Sequence, residues 1–133
     1  MLANIIDIKT IGNSESGSLS FFEAPGDLPF EVKRVYYTYD VPVGVKRGMH
    51  AHRNLQQILI CPHGAIEVIL DDGRERESVL LDSPSKGLVL GSMVWREMVW
   101  REPNSVLVVA ASMPYDEADY IRDYGEFLKV ASD

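Results

Sequence analysis

Apolar residues along this chain fall in short runs, and turn-forming residues separate the runs at roughly even intervals. The runs are rich in β-branched and aromatic residues, which suit a pleated surface. Short strands at even spacing are typical of a β-sandwich or barrel. The pattern predicts strands at Ala3–Ile8, Ser18–Glu23, Phe30–Tyr39, Gln56–Cys61, Ala65–Leu70, Ser78–Leu81, Gly87–Leu90, Met93–Trp100 and Ser105–Ala111.

Two turn signals lie in the middle of the chain. Asp71-Asp72-Gly73 is the stronger one, because glycine tolerates the positive φ that a tight hairpin demands. Pro62-His63-Gly64 stands between two predicted strands and predicts a second hairpin. Residues 24–29 hold two prolines and a glycine, so this segment is a predicted loop.

Helical periodicity is confined to the tail of the chain. From Asp116 onward, Ala118, Ile121, Tyr124 and Leu128 recur at steps of three and four, and acidic residues occupy the first turn. We expect these acidic residues to begin the helix and to face solvent. Residues 1–133 contain no repeat or linker, so the sequence predicts a single all-β domain with a short C-terminal helix.

Composition and charge narrow the class of protein further. The chain has 133 residues and a formal net charge of −7, which argues against a nucleic-acid partner. The single cysteine, Cys61, allows no intrachain disulfide, which is consistent with a reducing compartment. No secretory signal is evident, and no apolar run approaches the roughly 18 residues of a membrane-spanning helix. We therefore expect a cytoplasmic protein that does not contact membranes.

The most informative stretch for chemistry is residues 45–57. His50 and His52 are separated by one residue, so on a strand both side chains project from the same face. Lys46, Arg47 and Arg53 stand beside them. Imidazoles with pKa values near neutrality suit proton transfer or metal binding, and nearby cations suit a phosphate-bearing ligand. Spacing alone also leaves open a structural role, as two hydrogen-bonded histidines on a solvated edge strand.

The spacing of Gly44, His50, His52, Gln56 and Gly64 resembles the first conserved motif of the cupin superfamily. That resemblance implies a jelly-roll β-barrel. Metal-binding cupins have a glutamate at the position assigned here to Gln56, and a neutral amide is a poor metal ligand beside a carboxylate. The segment 84–97, which would supply a third imidazole, contains no histidine. We therefore expect a cupin that uses no metal and no other cofactor.

Further segments extend the resemblance over roughly residues 17–127. They are Lys33-Arg34-Val35-Tyr36-Tyr37, Arg47-Gly48-Met49-His50-Ala51-His52, Leu81-Asp82-Ser83-Pro84, Val94-Trp95-Arg96-Glu97-Met98 and the tail from Tyr115 to Tyr124. Together they resemble the small cupins that act as dTDP-4-keto-6-deoxyglucose 3,4-ketoisomerases in deoxysugar biosynthesis. The resemblance implies a homodimeric, metal-free isomerase whose substrate is a thymidine-diphosphate sugar.

The resemblance also implies a set of site residues. His50, His52 and Tyr37 are the expected catalytic residues, and Arg47 and Arg96 are the expected contacts to the substrate. Moving a ketone from carbon 4 to carbon 3 needs a base near neutrality, a proton donor and groups that stabilise oxyanion charge. Histidines and a tyrosine supply these groups. The position of Arg96 is His in some members and Arg in others, and an arginine cannot readily relay a proton. We therefore expect protonation of carbon 4 from the histidine side, with the gluco configuration retained.

Other functions remain open at this point. A 3,5-epimerase acting on the same substrate would use a similar histidine base and tyrosine acid. A non-catalytic sugar-binding cupin would bind the nucleotide sugar and exchange no proton. A metal-dependent cupin oxygenase is disfavoured by Gln56 and by the missing third histidine.

Overall fold

The computed structural model describes residues 2–132, in which twelve strands and one α-helix form. A single turn of 3-10 helix, Glu117–Asp119, precedes the last strand. The strands are β1 Asn4–Asp7, β2 Lys9–Asn13, β3 Gly17–Phe21, β4 Arg34–Thr38, β5 Lys46–His52, β6 Gln57–His63, β7 Ile66–Asp71, β8 Arg76–Leu81, β9 Lys86–Leu90, β10 Trp95–Trp100, β11 Val106–Ala111 and β12 Tyr120–Ile121, and the helix is α1 Tyr124–Ala131.

Ten of these strands form two five-stranded antiparallel sheets. One sheet has the order β1-β9-β6-β11-β4, the other has the order β12-β5-β10-β7-β8, and β2 and β3 form a separate two-stranded ribbon. Neighbouring strands within each large sheet are mostly far apart in sequence, as in a jelly roll. The prediction of an all-β domain with a short C-terminal helix is confirmed.

The main core lies between the two large sheets. Along β6, Leu59 and Cys61 face the second sheet, and Val68 and Leu70 of β7 meet them from the other side. Trp100 of β10 is fully buried in the same cluster. This alternation of inward and outward residues is the period of two that a pleated strand imposes. Burial raises the pKa of the Cys61 thiol, which makes it unreactive.

The outer faces of both sheets are also covered. Ile58 and Ile60 point outward from β6 and are buried under Leu28 and Phe30, which lie in the segment before β4. On the other sheet, a second apolar cluster joins the sheet to the tail of the chain: Ala51, Trp95, Ile121 and Phe127. The N-terminal and C-terminal segments therefore pack against the outer faces of the two sheets.

The two predicted hairpins have different outcomes. The turn at 71–73 is confirmed, because β7 and β8 pair with Asp71 opposite Arg76. The hairpin predicted at 62–64 is wrong, because β6 belongs to the first sheet and β7 to the second. Gly64 has φ +90, and the Ala65 N–H donates to Ser105 Oγ at 2.9 Å. The chain crosses between sheets here instead of turning back.

The tail also differs from its prediction. The helix begins at Tyr124, where the Asp123 side chain accepts the Glu126 N–H and caps the first turn. Residues 116–121 form the 3-10 turn and β12 instead, because Ile121 and Tyr120 pair with β5. Strand β2, which the apolar pattern does not predict, pairs with β3 and is exposed along its length. In residues 2–132, no helix is long and apolar enough to cross a membrane.

Candidate active site

A cavity of about 280 Å³ opens between β4, β5, β10 and β12. Apolar groups from Met98, Trp100 and Leu107 form part of its wall. The other residues that line it are polar, charged or glycine: Arg34, Tyr36, Thr38, Arg47, Gly48, His50, Tyr120 and Arg122. An apolar surface with a few convergent polar groups is typical of a small-molecule site.

A bulge in β5 directs one histidine into this cavity. Opposite β10, Arg96 pairs with His50 but Glu97 pairs with Gly48, so Met49 is one extra residue in β5. Gly48 has φ +86 and Met49 has φ 53, both in the left-handed region that favours glycine. Met49 is accordingly exposed, whereas His50 turns inward and lines the cavity.

The structure brings His50 and His52 together, as the sequence predicts. Their ring centroids lie 4.8 Å apart in an edge-on arrangement, and the ring of Tyr120 packs against both. His50 reaches the cavity, whereas His52 is completely buried behind it. Only His50 is therefore in a position to touch a bound ligand directly.

Asp119 holds His52 in a defined orientation. The Nδ1 atom of His52 lies 3.0 Å from Asp119 Oδ2, and Asp119 also accepts the backbone N–H groups of Asn54 and Leu55. An ionised carboxylate accepts only, so His52 carries its proton on Nδ1 and presents the Nε2 lone pair. The sequence places Asp119 on a solvated helix face. That expectation is wrong, because the residue is only 4% exposed in the turn before β12.

Both histidines are neutral over the physiological range. Burial, with a second contribution from the positive charge of Arg96, lowers the pKa of His50 to about 3 and that of His52 to about 4. Within residues 2–132, neither ring nitrogen of His50 has a hydrogen-bond partner. Both nitrogens are buried, and the residue lines the cavity, so this neutral imidazole can accept a proton from a bound molecule that reaches one of them.

Tyr37 does not belong to this group. Its side chain is 64% exposed, lies on the opposite face of β4 and stacks beside Tyr39 at 5.9 Å between centroids. The preceding residue, Tyr36, lines the cavity. The structure does not bring Tyr37 to this cavity, because alternation along β4 points Tyr36 into it and Tyr37 to the other face.

Three arginines surround the cavity. Arg47 lines it, as expected of a substrate contact, and Arg34 and Arg122 join it from β4 and from the residue after β12. The Arg34 guanidinium lies 5.3 Å from the centre of the Tyr36 ring, and its Nε atom is buried without a partner among the described residues. The other cations near the histidines in sequence, Lys46 and Arg53, form ion pairs elsewhere and do not line the cavity.

Arg96 is expected to contact the substrate, but the structure buries it completely and does not place it on the cavity wall. Its Nε and Nη2 atoms donate to the Val94 carbonyl at 3.2 and 2.9 Å, and Nη1 donates to Gln57 Oε1. The guanidinium is thus an internal charge beside the histidines. Arg96 therefore does not reach the cavity at which the contact to the substrate is expected.

The motif position assigned to Gln56 is occupied by Gln57. Gln57 is 2% exposed and hydrogen-bonded to both Arg96 and Tyr36, whereas the Gln56 side chain has no hydrogen bond among the described residues. A spacing with four residues between His52 and the motif position, and six between that position and Gly64, would have selected Gln57 from the sequence.

The donors in this cavity are poorly suited to a metal ion. In the described part of the chain, no group of three or more His, Cys, Asp or Glu side chains is arranged to hold one. His50 and His52 stand beside a neutral amide and a buried guanidinium, and a fixed positive charge repels a divalent cation.

The fold and the cavity define a small jelly-roll protein with a neutral histidine pair and an arginine-lined ligand site. The chain belongs to the family described as FdtA: WxcM-like, C-terminal, whose model matches residues 1–132. A curated relative is the TDP-4-oxo-6-deoxy-α-D-glucose-3,4-oxoisomerase of Aneurinibacillus thermoaerophilus, which is 46% identical over 125 residues, 94% of this chain and 89% of that protein.

Solved structures agree with this family. The sugar 3,4-ketoisomerase QdtA from Thermoanaerobacterium thermosaccharolyticum, in complex with TDP, matches with a TM-score of 0.94 at 40% identity over 98% of this chain and 95% of that one. The TDP-quinovose 3,4-ketoisomerase WlaRB from Campylobacter jejuni matches with a TM-score of 0.89 at 42% identity over 96% and 97%. The predicted cupin jelly roll and the predicted family are confirmed.

Proposed function

We propose that this protein is a nucleotide-sugar 3,4-ketoisomerase that converts dTDP-4-keto-6-deoxyglucose to a dTDP-3-keto-6-deoxyhexose. The observation that carries the proposal is His50, a neutral imidazole without a hydrogen-bond partner among the described residues, which faces a cavity shared with a tyrosine hydroxyl and three arginines. Relatives at 46%, 42% and 40% identity bear 3,4-ketoisomerase or 3,4-oxoisomerase names, which supports the same reaction.

The reaction moves two protons and needs no oxidant or reductant. His50 removes the proton on carbon 3, which the adjacent carbon 4 carbonyl acidifies, and the electron pair forms the carbon 3–carbon 4 double bond. The carbon 4 oxygen takes a proton from the Tyr36 hydroxyl, so an enediol results. Carbon 4 then takes a proton from the His50 imidazolium, and the hydroxyl on carbon 3 returns a proton to Tyr36 as the new carbonyl forms. A neutral base in a water-poor site suits the first step.

The other groups around the cavity support this step. Tyr36 donates a hydrogen bond to the oxygen that carries negative charge as the enediol forms. His52 lies behind His50. Asp119 binds the Nδ1 atom of His52, so the Nε2 lone pair of His52 is free to accept a proton, as that of His50 is. The catalytic assignment thus comprises His50, His52 and Tyr36.

The cations around the cavity suit the diphosphate of the substrate. Arg34, Arg47 and Arg122 concentrate positive charge at one place on a protein with a net charge of −7. A guanidinium group can donate two parallel hydrogen bonds to the oxygens of one phosphate, which orients the phosphate and also strengthens its binding. Arg122 is held by Glu117 at 2.6 Å between Nε and Oε1, and its guanidinium lies 4.1 Å from the centre of the Tyr120 ring.

Proton NMR of the substrate mixed with purified protein in deuterated water tests the proposal. The expected product has its carbonyl at carbon 3 and an unlabelled carbon 5, and deuterium enters carbon 4 to the extent that the His50 imidazolium exchanges with solvent before it protonates that carbon. Deuterium at carbons 3 and 5 would identify a 3,5-epimerase instead. Tight binding without any proton exchange would identify a non-catalytic sugar-binding protein.

Activity without a metal is part of the proposal. The buried Arg96 cation and the Gln57 amide support it, because neither group favours a divalent ion. Metal analysis of active protein checks this point. Stoichiometric zinc, iron or manganese, with activity lost to a chelator and restored by the metal, would overturn it.

The proposal includes a homodimer and a cytoplasmic location. Supporting the dimer, Ile11 and Leu19 are more than 60% exposed on the β2–β3 ribbon, and Val35 is 60% exposed on the edge strand β4. Exposed apolar side chains grouped on a ribbon and an edge strand favour contact with another chain. Light scattering after size exclusion would give twice 14.9 kDa for a dimer.

A further inference from the structure

Three residues form a buried chain of hydrogen bonds that leads to the cavity. Arg96 Nη1 donates to Gln57 Oε1, and Gln57 Nε2 lies 3.3 Å from the Tyr36 hydroxyl. Arg96 is fully buried and Gln57 is 2% exposed, so solvent cannot replace either partner. Two bonds to the Val94 carbonyl hold the guanidinium in place.

The direction of this chain follows from the chemistry of its first member. A guanidinium has donors and no acceptor, so the Gln57 atom that faces Arg96 must be the carbonyl oxygen. The amide nitrogen of Gln57 must then face Tyr36 and donate to its hydroxyl oxygen. Arg96 thereby determines which way round the Gln57 amide lies, whereas an isolated glutamine could exchange the positions of its oxygen and nitrogen.

The hydroxyl of Tyr36 is therefore an acceptor on its buried side. Its own proton cannot point at Gln57, and within residues 2–132 no other hydrogen bond involves this hydroxyl. Burial raises the pKa of Tyr36, so the proton is retained at neutral pH. Tyr36 lines the cavity, which leaves its proton available to a bound molecule.

We propose that Gln57 is a positioning residue that turns the Tyr36 proton toward the cavity and transmits the charge of Arg96 to that donor. The inference rests on the proposed ketoisomerase reaction, where Tyr36 meets the oxygen that becomes negatively charged. Hydrogen bonds in one direction polarise each other, so the guanidinium strengthens the final donor. The glutamine amide suits position 57 because it accepts from arginine with its oxygen and donates to tyrosine with its nitrogen, whereas a carboxylate only accepts.

Gln57→Glu tests this role with almost no change in volume. The new carboxylate accepts from Arg96 and stays ionised beside it, but it has no proton to donate. The Tyr36 hydroxyl then turns its proton back toward position 57. We expect kcat to fall about 100-fold with KM little changed, which is the lower range for loss of one oxyanion donor. Gln56→Glu adds the same charge one residue away and should keep kcat within about twofold of wild type.

A second comparison separates positioning from a general structural effect. In the Tyr36→Phe background there is no hydroxyl to orient, so adding Gln57→Glu should lower kcat by no more than about twofold. A full 100-fold loss in that background, or wild-type kcat for Gln57→Glu alone, would overturn the proposal. If Gln57→Glu does not fold, Gln57→Met carries the same comparison in the two backgrounds.

A measurement without substrate keeps this inference separate from the proposed reaction. NMR of protein with ¹³C-labelled tyrosine rings, assigned with Tyr36→Phe, reports the pKa of Tyr36. We expect the pKa to rise by at least one unit in Gln57→Glu and to stay unchanged in Gln56→Glu. An unchanged Tyr36 pKa in Gln57→Glu would overturn the inference even if the enzyme is a ketoisomerase. A raised pKa in a protein without ketoisomerase activity would leave the orientation correct and the proposed function wrong.

Discussion

Tyr36 and Tyr37 are neighbours in sequence, yet their side chains lie on opposite faces of β4. Tyr36 lines the cavity with His50 and accepts a hydrogen bond from Gln57. Tyr37 is 64% exposed on the outer face. The site depends on this one-residue difference, because successive residues of a strand point in opposite directions.

The first prediction uses this pair as its own control. Tyr36→Phe removes the hydroxyl that meets the developing oxyanion, so kcat should fall about 100- to 1,000-fold. Tyr37→Phe makes the same chemical change on the outer face and should leave kcat unchanged. Steady-state kinetics of the two variants would show which tyrosine acts. A loss confined to Tyr37→Phe would reverse the assignment.

The second prediction concerns the histidine pair. His50→Asn removes the only imidazole that reaches the cavity, and we expect kcat to fall about 100- to 10,000-fold. His52→Asn should also lower kcat, and it should reduce the free energy of unfolding because it disrupts the bond to Asp119. Turnover and urea unfolding of both variants check the two effects. Near-normal turnover in both would make the pair structural.

The sequence predicted much of the fold, because short alternating apolar runs determine strands without long-range information. It also predicted that His50 and His52 share a site, since their spacing lies within one strand. It did not predict Asp119, which lies 67 residues from its partner His52 and can be recognised only when β12 pairs with β5. It also did not predict that Arg96 is fully buried and absent from the cavity wall, because sequence does not reveal depth of burial.

Tyr37 and Gln56 each lie one position away from a residue that the structure brings to the other site groups. Tyr36 lines the cavity, and Gln57 is hydrogen-bonded to Arg96 and Tyr36. An error of one position on a strand moves a side chain to the opposite face of the sheet. Motif spacing as far as Gly64 distinguishes Gln57 from Gln56, whereas only the structure shows which of Tyr36 and Tyr37 lines the cavity.

The third prediction is that protein stability falls as the pH drops below about 6.5. The pKa of His50 is about 3 in the folded protein and near 6.5 when unfolded, so between these values the unfolded state binds more protons. The stabilisation is complete above pH 6.5 and is lost progressively as the pH falls toward 3. One such histidine contributes a slope of about 1.4 kcal/mol per pH unit.

Urea unfolding at pH 7, 6 and 5 measures this slope. His50→Asn should reduce the dependence of the unfolding free energy on pH. Subtracting the curve of this variant from that of wild type removes the contribution of the carboxylates, which both proteins share. Parallel curves for wild type and His50→Asn would contradict the predicted pKa shift. His52, whose folded pKa is about 4, should contribute in the same direction.

The fourth prediction addresses the bulge in β5. Gly48 has φ +86, and a Cβ added there would lie 2.8 Å from Met98 Sδ at the cavity wall. Gly48→Ala should cost about 1–2 kcal/mol of folding free energy for the left-handed backbone and should narrow the cavity. Gly91→Ala, where nothing lies within 4 Å of the added Cβ, is the control and should change stability little. Equal unfolding midpoints for the two variants would contradict the prediction.

The fifth prediction concerns the configuration at carbon 4. Arg96 stays charged and is buried away from the cavity, so it provides no proton to the opposite face of the enediol. Protonation from the His50 side should retain the gluco configuration. The coupling between the protons on carbons 4 and 5 of the product should be large, as for diaxial protons. A small coupling would identify the galacto product.

The order of strands in the two sheets has a consequence for how this site comes into existence. The His52–Asp119, Arg96–Gln57 and Gln57–Tyr36 contacts join residues 67, 39 and 21 positions apart. Contacts between distant segments form slowly, because the chain loses the entropy of closing a long loop before the contact contributes any stabilisation. Proteins dominated by such contacts fold in milliseconds to seconds. Strand β5 alone carries both histidines, but Asp119, Tyr36, Gln57 and Arg96 reach them from four other segments of the chain. Catalytic competence therefore emerges only when the complete pair of sheets has assembled, and no smaller folding unit of the molecule carries it.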